Sequence, residues 1–136
     1  MANGNQLQVI TKSKLLLVEG NDDLRFFKAL VDYLKQQDIE IRIYSSKDNL
    51  RPFLKALPAI PGFAIVKSLG IIRDADDNAT ATFQSVHDAL LNANLPAPDA
   101  PLVLQPGQPQ VAVMIMPPGA NEGMLEHLCL SAARDD

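Results

Sequence analysis

Lys14-Leu15-Leu16-Leu17-Val18-Glu19-Gly20-Asn21-Asp22 is the stretch on which the reading of this chain turns. A short aliphatic run is a strand without room for a helix. Gly20 supplies a tight turn behind it, and the Asx residues offer caps to a following helix, so the segment reads as strand, turn, helix. From Asp22 to Gln37 the apolar residues Leu24, Phe27, Val31 and Leu34 recur at three- and four-residue steps. That spacing predicts a helix with one buried stripe, leaving Asp32 and Lys35 exposed.

Working outward, Ile39, Ile41 and Ile43 alternate with Glu40, Arg42 and Tyr44, which predicts a strand to about Ser45 with one polar face. Asp48 to Leu57 reads as a short helix in which Pro52 is tolerated only in the first turn, where its missing amide hydrogen costs nothing. A third strand is expected from Val66 to Arg73, then Asp74-Ala75-Asp76-Asp77-Asn78, then a helix from Thr80 to Asn94 buried through Phe83, Val86 and Leu90. Pro96, Pro98 and Pro101 stiffen the next connection. Leu102 to Leu104 and Val111 to Met116 flank the turn-rich Gln105 to Pro109, the pattern of a hairpin or strand-loop-strand insertion before the last strand. Gly123 to Ala133 closes the chain as a helix. The alternation βαβαβα predicts an α/β fold with a mostly parallel sheet, flanked by helices and joined by right-handed crossovers.

The chain has 136 residues, enough for one ordinary core, and residues 1–136 are read as a single domain. It ends just past a helix at Arg134-Asp135-Asp136, where a longer natural protein is expected to continue. A net charge of −4 argues against gripping nucleic acid by a broad basic surface, so an anionic substrate would need a bound cation. Cys129 is the only cysteine, which excludes an intrachain disulfide framework and a Cys-based zinc cluster. With no signal-peptide layout at Met1 to Gln8 and no bilayer-length apolar run, the expected location is cytoplasmic, without a membrane partner.

Ligands gather at the carboxyl ends of parallel strands, and Glu19 and the Asp74 to Asp77 cluster both stand at such ends. If the backbone stays extended there, Asp74 and Asp76 project to one side and Ala75 to the other. Clustered carboxylates remain charged together most easily around a cation. Their hard oxygens select Mg²⁺ or Mn²⁺, and Mg²⁺ takes only one or two protein carboxylates before water and phosphate complete its octahedron.

Val18-Glu19-Gly20 after the first strand and Asp74-Ala75-Asp76 after the third resemble the two signature motifs of the Toprim domain. The longer phrases Leu17 to Asp23, Gly70 to Asp76 and Gly123 to Leu128 resemble uncharacterised bacterial Toprim-like proteins related to OLD-type nucleases. The resemblance implies a Toprim/Rossmann-like fold and metal-dependent processing of phosphodiesters in nucleic acid, a nuclease being the leading reaction class. It also implies roles: Asp74 and Asp76 as metal ligands, Glu19 as general acid/base or a further ligand, and Glu126 as an additional ligand.

Other residues carry plainer readings. Asn21, Asp22, Asp77 and Asn78 stand where helix caps are expected, although Asp22 also borders the site. Arg73 is placed either to orient a phosphate or to pair with a neighbouring acid. Lys47, Arg51 and Lys55 form a basic spacing that is ordinarily a solvated helix face. His87 and His127 lack metal-ligand partners, and Cys129 falls on a packed stripe. Two further function classes compete with the enzyme: a non-catalytic Toprim-like module docking on a partner ATPase, and a phospho-accepting receiver. A receiver would want a Lys after a later strand, whereas Val111 to Met116 runs into Pro117-Pro118-Gly119.

Overall fold

The structure is a computed structural model describing residues 8–75 and 77–116. Its elements follow in the order β1 (Lys14–Val18), α1 (Asn21–Tyr33), β2 (Ile39–Ile43), α2 (Lys47–Ala56), β3 (Ser68–Asp74), α3 (Ala79–Asn92) and β4 (Gln110–Met116). The four strands form one all-parallel sheet in the order β2-β1-β3-β4. Parallel strands need crossovers, and the three helices provide them.

Two apolar layers sandwich this sheet. On one face Leu15, Leu17, Leu69, Ile71, Val111 and Val113 pack with Leu50 and Leu54 of α2 and with Phe83, Val86 and Leu90 of α3. On the other, Val18, Ile72 and Met116 pack with Phe27 and the partly buried Leu24, Phe26 and Leu30 of α1. The chain thus leaves β1 through α1 in one direction and leaves β3 through α3 in the other. The reversal opens a crevice at the carboxyl ends of β1 and β3, the switch point of an open α/β sheet.

Several expected details shift. α1 ends at Tyr33 instead of Gln37, because Lys35 takes a left-handed conformation (φ 58°) that no helix continues through. Leu34 therefore falls outside the stripe and is 38% exposed, while Leu24 and Val31 are half-buried and Phe27 fully buried. Asp32 and Lys35 are exposed, as the periodicity requires. Pro52 lies beyond the first turn of α2, on its exposed side. The lost hydrogen bond there falls on a solvated face, which lowers its cost.

The expected hairpin reduces to one antiparallel bridge between Gln105 and Val111. Val111 to Met116 is instead taken up as a full parallel partner of β3, running from Ser68↔Gln110 to Asp74↔Met116. The helix expected over Gly123 to Ala133, with Glu126, His127 and Cys129, falls outside the described residues, as does Asp76.

Candidate functional site

β1 and β3 are direct neighbours, in register from Lys14↔Ser68 to Leu17↔Ile71. Glu19 follows the last residue of β1, and Asp74 is the last residue of β3. Both acids therefore stand at the carboxyl edge, on either side of the switch point. Side chains alternate along β3, so Asp74 shares the α1 face with Ile72, and Arg73 points to the α2 and α3 side.

α1 brings a third acid to this edge. Gly20, in extended backbone, is the N-cap, and the Asp23 carboxylate accepts a hydrogen bond from its amide at 3.3 Å. That bond turns Asp23 inward. Burial, followed by the charge of Asp74, pushes the Asp23 carboxyl above the usual carboxylate range, while the Gly20 amide pulls the other way. Asp22, expected at the border of the site, points elsewhere. Its side chain is 100% exposed and lies 3.9 Å from Arg25 one helical turn on. At α3 the expected cap does form, with the Asn78 side chain accepting from the Ala81 amide at 3.1 Å.

Tyr44 forms the floor. It is 1% exposed, and its hydroxyl donates to the Ile72 carbonyl at 2.8 Å. The paired register of β1 with β3 stops at Ile71, so this hydroxyl reaches across from the end of β2 to the first β3 carbonyl beyond it. Burial raises the phenol well above its ordinary pKa, and the charges of Glu19, Asp23 and Asp74 raise it further against the opposing pull of Arg73. Tyr44 is thus a neutral donor set among three acids and one guanidinium. Neither Asp23 nor Tyr44 was singled out from sequence as a site residue. The available signal was position: Asp23 is one helical turn beyond Glu19, and Tyr44 follows the last residue of β2.

Arg73 is 6% exposed, and its guanidinium donates to the Asp74 carbonyl at 3.2 Å. It lines a cleft of about 410 Å³ between the N-terminal turns of α2 and α3, with Lys47, Asp48, Asp77, Asn78 and Thr82. Two cations and two anions line this cleft, so their formal charges cancel. Lys47 is the first residue of α2, while Arg51 and Lys55 are exposed on that helix. His87 lies on α3 away from the acids, half-buried, with Nδ1 3.7 Å from Asp88.

The donor set at the edge is carboxylate oxygen, the chemistry that suits Mg²⁺ or Mn²⁺. Among the described residues no three His, Cys, Asp or Glu side chains converge to hold an ion together. A cation here would rest on one or two of these carboxylates, with Asp76 beyond the described set. Also among the described residues, no helix is long and apolar enough to cross a membrane.

No curated protein and no solved structure matches the chain. One family model does, over residues 13–136, a span that holds both acidic strand ends. The chain therefore belongs to the family described as "Protein of unknown function (DUF3226)".

Proposed function

We propose that this protein is a metal-dependent phosphodiester-processing enzyme, a nuclease in reaction class, that uses Mg²⁺ or Mn²⁺ at Glu19, Asp74 and Asp76. One observation carries the reading: Glu19 and Asp74 end neighbouring parallel strands at the switch point of the sheet, with Asp23 turned toward them from α1. Burying acids together is unfavourable unless something is gained. The raised pKa of Asp23 is a sign of that cost.

A bound divalent cation would polarise a phosphate and lower the pKa of an attacking water. The chain's own residues would do the rest. Glu19 transfers the proton, Asp74 and Asp76 hold the cation, and Arg73 orients the phosphate from the adjoining cleft. Tyr44 ties the end of β2 to β3 across β1 and stays a neutral donor throughout. The balanced charge of that cleft, with a net chain charge of −4, fits a site that relies on a cation to accept an anionic substrate. The Toprim-like motifs supply the nucleic-acid substrate class.

The test is incubation of the purified protein with supercoiled, linear and single-stranded DNA and with RNA, in Mg²⁺, in Mn²⁺ and in EDTA. Cleavage or nicking that needs the cation and falls about 10²- to 10⁴-fold in Glu19→Gln is expected. No cation-dependent change in any substrate would overturn the enzymatic reading and return the fold to a docking role.

A further inference from the structure

The two edges of this sheet are treated differently. At the β4 edge, residues facing away from β3 are met by the chain itself: Gln105 and Val111 exchange both backbone hydrogen bonds, at 2.8 and 2.9 Å, and the Leu102 amide donates to the Val113 carbonyl at 2.8 Å. At the β2 edge, no described residue pairs with the outer side of the strand. Its direction is readable from the ladder. The Asp38 carbonyl and the Tyr44 amide bond to β1, so by alternation Glu40 and Arg42 also face β1, and the amides and carbonyls of Ile39, Ile41 and Ile43 face outward.

An open edge pairs with any suitable strand, and inward-pointing charges are one device against that. β2 carries such charges. Glu40 and Arg42 alternate with the isoleucines and point to the α2 side, their side chains only 18% and 13% exposed and joined at 2.6 Å. Arg42 also donates to the carbonyls of Gln8 and Val9, at 2.7 and 3.0 Å, and Glu40 accepts from the Thr11 amide at 3.1 Å. These bonds fix where both charges stand. A strand laid beside them is favoured when it sets opposite charges across from each, and disfavoured when it sets like charges there.

Ile39-Glu40-Ile41-Arg42-Ile43 does so when laid antiparallel against itself. A two-fold axis at Ile41 sets Glu40 opposite Arg42 of the other copy and Ile39 opposite Ile43. The backbone phase agrees, because the outward-facing residues are the ones that must form the hydrogen-bonded pairs. The geometry points to a homodimer in which two β2 strands pair antiparallel about Ile41 and join the two sheets into one. Among the described residues, grooves of about 870 and 1190 Å³ open along the strand, flanked by Phe53 of α2 and by Leu24 and Val31 of α1. The isoleucines on the α1 face are half-buried and gain cover from their counterparts. Such an interface is isologous, so every contact occurs twice.

Sedimentation of the full chain tests this through charge exchange. The wild type should be a dimer at about 0.1 mM. Glu40→Arg alone and Arg42→Glu alone should each weaken self-association about 10- to 100-fold, since each places like charges opposite one another twice. An equimolar mixture of the two should recover the dimer. The double variant Glu40→Arg/Arg42→Glu keeps the intrachain pair and should dimerise with itself, yet form no mixed dimer with the wild type. That self-sorting decides the matter even if either single variant fails to fold. A monomeric wild type would assign the edge to a strand from elsewhere and overturn the proposal. So would a dimer in which wild type and double variant mix freely.

Discussion

Replacing Tyr44 with Phe removes one oxygen from the floor of the crevice and leaves the ring in place. The hydroxyl is buried with its residue at 1% exposure and donates to the Ile72 carbonyl at 2.8 Å, so its loss deletes a hydrogen bond that water cannot readily replace. A buried neutral hydrogen bond is worth about 1 kcal/mol net, and leaving its acceptor short of a donor raises the cost toward roughly 2 kcal/mol. No cavity term of note adds to this, because the aromatic volume is unchanged. For a chain of this length the expected drop in melting temperature is about 3–8 °C, with urea unfolding showing an earlier midpoint at an unchanged slope. The crevice should respond too, since the hydroxyl ties the end of β2 to β3 across β1. Under the proposed function, cation-dependent cleavage should fall in Tyr44→Phe by more than the unfolded fraction accounts for. A Phe variant as stable as the wild type would refute the reasoning, because it would mean that the Ile72 carbonyl does not depend on this donor.

Three further substitutions test other parts of the account. Asp23 has a raised folded pKa, so the stability its proton supports is present below the ordinary carboxylate range and lost as pH rises through the folded value. Asp23→Asn should then melt above the wild type at neutral pH and converge with it near about pH 3, whereas a gap that widens on acidification would contradict the assignment. Gly62 has φ 95°, and a Cβ there would collide with the Ile10 carbonyl, so Gly62→Ala should cost about 2 kcal/mol or more in urea unfolding; a neutral effect would show that this loop repacks freely. Asp74→Asn should leave metal-free stability unchanged or raised while abolishing most of the gain from Mg²⁺. At ten times Kd that gain is about 1.4 kcal/mol for the wild type, or roughly 4–6 °C, and equal shifts in both proteins would remove Asp74 from the site.

Much of the fold was legible because its signals are local. Lys14 to Gly20 combines strand, turn and acid within one short stretch, and a turn after an aliphatic run leaves the next residue at the strand's carboxyl end whatever the rest of the chain does. The same holds for Asp74 after Val66 to Arg73. Helix phase was less secure. With caps expected from Asn21 and Asp22, Asp22 bordered the site, but Gly20 is the N-cap, and at about 100° per residue a shift of one position turns Asp22 to solvent and brings Asp23 in.

Periodicity predicts which residues share a face; it says nothing about what covers that face. β2 alternates as expected, yet its polar side carries Glu40 and Arg42 bonded to Gln8, Val9 and Thr11, and its Tyr44 is buried beneath the acids. The same limit applies to Val111 to Met116, whose strand character was evident while its parallel partner was not. Hydrogen-bond partners in a parallel sheet come from distant parts of the chain, so the order β2-β1-β3-β4 follows only from how the helices distribute over the two faces. By itself the sequence determined the elements and the acids that end two of them. The tertiary structure alone decided that those ends adjoin, that Tyr44 and Asp23 meet them there, and that no described residue pairs with the outer side of β2, because each is a relation between segments too far apart for any local pattern to encode.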